Sequence, residues 1–370
     1  MLYATMNSLS VPVQNAVVAV VGAGVAGSRC ARVLHDAGCT VHVFDKARGP
    51  GGRMATRRAL WVDGQGQGRS TRFDHGVAGF DAHSSIFRVF TDQALRAGWL
   101  AEWSPVFDPL GRGADGAGTF LLPVPDMPTL CRQALQGIDT AWACTVQALQ
   151  PTRLSQPSWV LHGADGLLGE GFDAVVLAMP PAQAGQLLAT HQPAWSRQAA
   201  LALMQPCWTL MGVTAMPAAP IDWDVSRPPS GPLCTAQRNE SRPGRERLDS
   251  EVHWVLHARA AWSRLHLERS ADWVQAQLQA ALADWLGTPL QWHHAATHRW
   301  RYAMPQPTGG NAAGQCWWDP ALGIGVCGDF LGGSSSGVEA AWLSAQALAQ
   351  QMLASQAVGR AVSPGRPVEA

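Results

Sequence analysis

The sequence predicts an α/β fold: a Rossmann-like dinucleotide-binding domain with a mainly parallel sheet, and an inserted domain bearing an antiparallel sheet. Three observations predict it. A continuous β-branched run, Val17–Val21, passes directly into Gly22-Ala-Gly24-Val-Ala26-Gly27 and then into a segment of helical spacing. Two further short apolar runs, Asp173–Ala178 and Ile324–Cys327, read as buried parallel strands far along the chain. The material between them carries strands broken by Pro- and Gly-rich turns, so the nucleotide unit is left and later re-entered.

In chain order, residues 1–16 read as a frayed lead-in. Val17–Val21 is a buried strand, Val25 to Ala37 a helix stopped by Gly38, and Val41–Phe44 the next strand. Gly64 to Gly68 is a surface loop between two short strands. Ser84 to Ala97 is a helix, and Trp99 to Pro125 a stretch of strands and turns. Met127 to Gln136 is helical, Val146 to Leu161 a hairpin, and Asp173–Ala178 a strand ended by Pro180-Pro181. Strands follow at Cys207 to Met216 and Val252 to Ala258, with an Arg/Pro/Gly-rich loop at Gln237–Arg247 between them. Ser270 to Leu286 is a helix. After Ile324–Cys327 come a Gly/Ser loop, the helix Val338 to Leu353, and a tail at 356–370.

Composition narrows the function classes. The 370 residues, 47% of them hydrophobic, can bury a core large enough for two domains. Lys plus Arg equals Asp plus Glu at 27 each, so no electrostatic footprint for nucleic acid or anionic lipid exists, and the expected partner is a small molecule. The eight cysteines are scattered, without a C-x-x-C pair, which argues for reduced thiols rather than disulfides or zinc. Residues 1–15 lack signal-peptide character and no apolar run is long enough to span a bilayer, so a cytoplasmic location is expected. Adjacent His293 and His294 face opposite sides of a strand, and no ligand set accompanies them and His298, so no metal is expected. Lys46 is the sole lysine, and Tyr3 and Tyr302 are the only tyrosines.

The glycine motif carries the first chemistry. Gly22 permits the tight turn, Gly24 lets a pyrophosphate approach the backbone, and Gly27 lets helix and strand pack closely. Ala26 lies within the same motif. The helix N-terminus offers free N–H groups and a partial positive charge to phosphates. Asp45, ending the second strand, has the spacing of an acid that binds ribose hydroxyls, with Lys46 beside it. Such a unit holds NAD or FAD. The next residues, Arg48-Gly-Pro-Gly-Gly52-Arg53, bring a second glycine segment to the dinucleotide and a cation, Arg53, within reach of the pyrophosphate. Arg57 and Arg58 read as a solvated basic face.

At this point a family resemblance emerges. FDKARGPGGRMATRR at 44–58 resembles the second-strand and GGR segment of the amine-oxidase-like FAD enzymes, most of all their bacterial renalase-like branch. Phe73-Asp74-His75-Gly76 is similar to that family's short strand facing the flavin. His298-Arg-Trp300-Arg-Tyr302-Ala303 resembles its H-x-W-R-Y-A strand. Gly328-Asp329 with Val338-Glu339-Ala-Ala-Trp342-Leu-Ser344 resembles its closing motif. Together these span residues 17 to 355, while 186–290 matches no motif. Two departures are local. Val77-Ala-Gly79-Phe80 replaces the usual Ala-Gln-Tyr-Phe, and the loop after Asp329 lacks a frequent arginine.

The resemblance implies noncovalent FAD bound by a discontinuous domain (17–80, 126–185 and 290–355) and a substrate domain at 81–125 and 186–289. It implies Asp74 and Gly76 at the cofactor, Asp329 on its ribityl or phosphate-side hydroxyls, and the helix from Val338 aimed at the flavin pyrimidine edge. There the helix end stabilises negative charge on the reduced ring. Glu339 fits either a cofactor contact or a first-turn acid. His75, Trp300 and Tyr302 are the catalytic candidates, His75 either as a proton relay or as a backbone cap. Cys316 differs in spacing and surroundings from the covalent flavin cysteine of some relatives and reads as a buried thiol. The implied activity is hydride transfer from a small donor to flavin N5, with O2 as acceptor. A dihydronicotinamide-type donor, an isomer of reduced NAD(P), needs no strong general base. An amine oxidase is the alternative. That group commonly uses a lysine near N5 and a pair of flanking aromatic residues, typically tyrosines. A non-catalytic flavin scaffold or sensor is a third reading.

Overall fold

The computed structural model describes residues 16–63, 65–111, 118–152, 158–247, 250–306, 315–332 and 337–361. The lead-in at 1–15 with Tyr3, Gly64 of the 64–68 loop, the Gly/Ser segment 333–336 and the tail beyond 361 lie outside them. Two compact units form. The first comprises residues up to Gly52, Cys131–Ala202 and Pro307 onward; the second comprises Arg53–Leu130 and Leu203–Gln306. Among the described residues, no helix is long and apolar enough to cross a membrane.

The first unit is built on a six-stranded sheet. Its order is Trp317–Asp319, Ile324–Val326, Ala174–Leu177, β1 (Val17–Val21), β2 (Thr40–Phe44) and Asp139–Ala141. Only the Trp317–Asp319 edge runs antiparallel. The central strands are continuous apolar runs because both faces are covered. On one face lie α1 (Val25–Asp36) and the C-terminal helix Gly337–Ala361, whose Ala341, Ala345, Leu348, Ala349 and Met352 share a core with Cys30, Ala31 and Leu34 of α1. Small residues at helical spacing let the two helices approach closely. The other face packs against Leu161 and Phe172 of a three-stranded antiparallel sheet and against Leu187 and Leu188.

The second unit is built on a five-stranded antiparallel sheet ordered Val225–Ser226, Leu233–Arg238, Glu251–Ala258, Met204–Ala215 and Trp292–Pro305. The helix Ala271–Leu286 covers it with Val274, Leu278 and Leu282, capped by Ser270 at the start and by left-handed Gly287 at the end. A hairpin of β3 (Thr56–Val62) and β4 (Gly68–Asp74) also packs on this sheet through Ala59 and Phe73.

Several expectations shift. Residues 53–80 and 290–306, expected with the nucleotide-binding segments, fall in the second unit, because the strand Trp292–Pro305 pairs along most of its length with Met204–Ala215. Ala16 is not frayed but buried in the core of the first unit, and its carbonyl accepts from Thr40. The final helix continues to Ala361, into the expected tail. The expected helix 127–136 contracts to Thr129–Ala134. After the strand that ends at Leu177, Pro181 and Pro193 start the helices Pro181–Leu188 and Pro193–Leu201, since proline costs nothing at a first helical turn.

Candidate functional site

In the first unit the glycine motif joins β1 to α1 where the strand order reverses, the place at which open parallel sheets bind ligands. Gly22 has φ of 112°, and a Cβ there would lie 2.3 Å from the Ala178 carbonyl oxygen. A Cβ on Gly27 would lie 1.7 Å from the Gly22 carbonyl oxygen, so the turn and α1 touch backbone to backbone. Gly24 differs: its Cβ would make only ordinary van der Waals contact, 3.8 Å from the Gly52 Cα, so the protein's own backbone does not exclude a side chain there. The Gly51-Gly52 segment lies against it. Gly24 and Gly51 form a parallel bridge, and Gly52, at φ of 56°, brings its own Cβ direction to within 3.2 Å of the Gly24 Cα. The second glycine segment therefore meets the first. No acidic side chain stands in the first turn of α1 and no side chain caps it, so its leading amides have no side-chain acceptor. The Ala26 side chain belongs to the core, leaving only its backbone for a ligand.

Asp45 shapes this cradle directly. One carboxylate oxygen accepts from the Ala23 amide at 2.6 Å and the other from the Ala47 amide at 2.7 Å. Each oxygen keeps a further lone pair for a ribose hydroxyl. Lys46 is exposed, with its ammonium 3.4 Å from the Gln183 side-chain oxygen. At the other end of the unit Asp329 is buried in a short 3-10 turn. The Ser344 hydroxyl accepts from the Gly328 amide and donates to the Gln315 carbonyl, tying this turn to the C-terminal helix. Val338 and Glu339 lie buried in the first turn of that helix. Cys316 is a buried thiol, pushed up to about 11 by desolvation.

In the second unit two expectations change. Asp74 does not present its carboxylate to a ligand. It is 1% exposed, accepts from the Thr56 hydroxyl at 2.6 Å, and forms ion pairs with Arg242 at 3.2 Å and Arg245 at 2.7 Å. The Arg245 Nε donates to it at 2.8 Å, while the Arg245 Nη2, though 2.7 Å away, is not aligned for a hydrogen bond. Asp74 is thus a buried anchor for the 239–245 turn, whose Asn239 accepts from the Asp74 amide. Arg53 falls in this unit, and its guanidinium donates to the Ala303 carbonyl at 3.0 Å. Sequence reading missed Arg242 and Arg245, which lay in an apparent surface loop; nothing local marks an arginine as buried.

His75 and Gly76 follow directly. A Cβ on Gly76 would lie 1.9 Å from the Arg53 carbonyl oxygen, so only glycine fits. The His75 ring is stacked at 5.1 Å on Trp300 and meets His298 edge-on at 4.9 Å; His298 and Trp300 are themselves 4.3 Å apart. The His75 carbonyl accepts from the Trp300 indole at 3.0 Å and lies 3.4 Å from His257 Nε2. The other nitrogen of His257 stands 3.2 Å from the Thr235 hydroxyl. Tyr302 follows on the same strand, within the register irregularity between Trp300 and Met304.

These imidazoles are held neutral. Desolvation, reinforced by His298 and Arg57, lowers His75 to about 3, and desolvation with Arg242 nearby lowers His257 to about 4. In an unfolded chain both titrate near 6.5. Between those values the unfolded chain binds more protons, so these groups contribute stability that is complete above about pH 6.5 and lost as pH falls toward 4 and below. The urea midpoint is expected to fall over that window, and His75→Phe is expected to make the fall shallower. Parallel curves for the two proteins, measured by urea unfolding at a series of pH values, would contradict a buried neutral His75.

Comparison with known proteins agrees with this geometry. Residues 20–92 match the NAD(P)-binding Rossmann-like domain family. Among solved structures, the chain is similar to a protein assigned as a protoporphyrinogen oxidase from Exiguobacterium sp. 255-15, at 13% identity and a TM-score of 0.67, covering 92% of this chain and 99% of that one. It is similar to reduced UDP-galactopyranose mutase, at 11% identity and a TM-score of 0.66, covering 92% and 96%. Putrescine oxidase bound to putrescine is similar at 13% identity and a TM-score of 0.54, covering 92% and 99%. At these identities the likeness establishes the fold: a Rossmann-like dinucleotide-binding domain within an architecture shared with these proteins.

Proposed function

We propose that the chain is a renalase-like oxidoreductase in which noncovalently held FAD accepts hydride at N5 from a dihydronicotinamide-type donor and passes the electrons to O2, giving H2O2. The observation that carries this reading is the cradle of Gly22, Gly24 and Gly27. It is closed to a side chain at Gly22 and Gly27 by the protein's own backbone, whereas at Gly24, against the Gly51-Gly52 segment, the protein leaves glycine unrequired and a pyrophosphate would be what requires it. The α1 N-terminus supplies its donors, the Gly51 amide braces the turn by donating to the Ala23 carbonyl, and Asp45 fixes the turn and takes ribose hydroxyls. Asp329 and the helix beginning at Gly337 serve the flavin end by the family resemblance.

The second unit supports the choice of donor. His75, His298 and Trp300 make a neutral aromatic cluster, against which a nicotinamide ring would pack. A neutral imidazole at His75 accepts a proton poorly, with its conjugate acid near 3. A dihydronicotinamide needs no base, because its ring nitrogen lone pair drives hydride out. An amine donor is a second reading, favoured by the fold shared with putrescine oxidase. Against it, the sole lysine is exposed beside Gln183, and Tyr302 is the only tyrosine among the described residues.

Anaerobic stopped-flow mixing separates the readings. At least one dihydronicotinamide form is expected to bleach the flavin band, while primary amines and polyamines bleach it negligibly. Rapid bleaching by an amine, with none by any dihydronicotinamide, would reverse the ranking.

A further inference from the structure

Arg57 has no place in the account above, yet its position is specific. Side chains alternate along β3, so Arg57 shares a face with Ala59 and Trp61. That face is turned to the five-stranded sheet, where Ala59 joins the core with Phe73 and Met211 and Trp61 stacks on His294 at 5.4 Å. The other end of the hairpin fixes where Arg57 lies. Thr56 pairs with Asp74, the residue before His75, and the His75 ring touches His298 and Trp300. Arg57 therefore stands at the His75 end of the hairpin, above the strand that carries His294, His298 and Trp300.

Its neighbour makes an instructive contrast. Arg58 points the opposite way and lines a cleft of about 390 Å³ together with Arg72 and Glu246. Arg57 is exposed and, among the described residues, has neither a hydrogen bond nor an ion pair. The imidazoles beside it are depressed by desolvation and by Arg57 itself, so they carry no charge at neutral pH. One fixed cation thus overlooks a neutral aromatic face. A guanidinium in that setting recognises carboxylate or phosphate through paired, charge-assisted hydrogen bonds.

We infer that Arg57 is a specificity-determining residue that holds an anionic group, phosphate or carboxylate, of the hydride donor. The inference rests on the proposed reading of the His75–Trp300 face as the donor's binding surface. The test uses the flavin-loaded protein and two donors that differ only in a phosphate, reduced nicotinamide mononucleotide and reduced nicotinamide riboside. Arg57→Gln is expected to raise the apparent Kd of the mononucleotide about tenfold or more and to leave the riboside unchanged, with Arg57→Lys recovering part of the loss. Equal effects on both donors, or none on either, would overturn it. If neither donor bleaches the flavin, the proposed reaction fails and the anion site is tested on its own. Calorimetric titration of inorganic pyrophosphate into the flavin-loaded protein is then expected to show binding that Arg57→Gln weakens. Equal binding in both proteins, or none in wild type, overturns the inference.

Discussion

Replacing Asp74 with alanine is expected to cost about 3–5 kcal/mol of stability, the usual result of stripping the counter-ion from a buried charge. Arg242 is wholly buried and Arg245 nearly so, and both are paired to this one carboxylate. Desolvation already lowers Arg242 from its ordinary value, and the Asp74 charge is the first influence opposing that. With Asp74 gone, two guanidinium groups would remain in the interior without an anion, and the Thr56 hydroxyl would lose its acceptor. The 239–245 turn would have to open to hydrate them. Urea unfolding of Asp74→Ala against wild type measures the effect. A loss below about 1 kcal/mol, the range of a solvated surface pair, would contradict the buried cluster.

A second pair of substitutions separates the roles of two glycines in one motif. Gly24→Val is expected to leave the fold intact and to reduce bound flavin to near zero, because its Cβ clashes with nothing in the protein while its branches enter the approach proposed for the pyrophosphate. Gly27→Ala is expected to act on the fold itself. Its methyl group would lie 1.7 Å from the Gly22 carbonyl oxygen, and relieving that contact requires α1 to move away from the β1 turn. The cost places it among the most severe single substitutions, above about 4 kcal/mol. Circular dichroism with flavin absorbance distinguishes the two: native spectrum without flavin for Gly24→Val, and loss of the native spectrum for Gly27→Ala. Wild-type flavin content in Gly24→Val would remove the cradle from its assigned place.

The contrast between those glycines shows where the sequence is informative. Val17–Val21, the glycine motif, Asp173–Ala178 and Ile324–Cys327 were legible because local signals, β-branched runs and turn glycines, coincide with what the sheet demands. His75, Gly76 and Trp300 were legible through resemblance, and the structure brings them together. Arg242, Arg245 and the fate of Asp74 were not legible. A buried ion pair is defined by residues 168 and 171 positions apart, and either arginine alone looks like a solvated loop residue. The helices Pro181–Leu188 and Pro193–Leu201 carry little sequence signal beyond a proline at the first turn, where its missing N–H is one the helix does not need. Arg57 is exposed, as expected of a solvated basic residue; the face it lies over belongs to a strand more than two hundred residues away and leaves no local mark in the sequence.

The central claim, noncovalent FAD in the first unit, is tested most directly by denaturing the purified protein in acid and identifying what enters the supernatant. Release of FAD at about one equivalent per chain is the predicted result. FMN in the supernatant, flavin retained by the precipitated chain, or a colourless protein that takes up no FAD on reconstitution would contradict it.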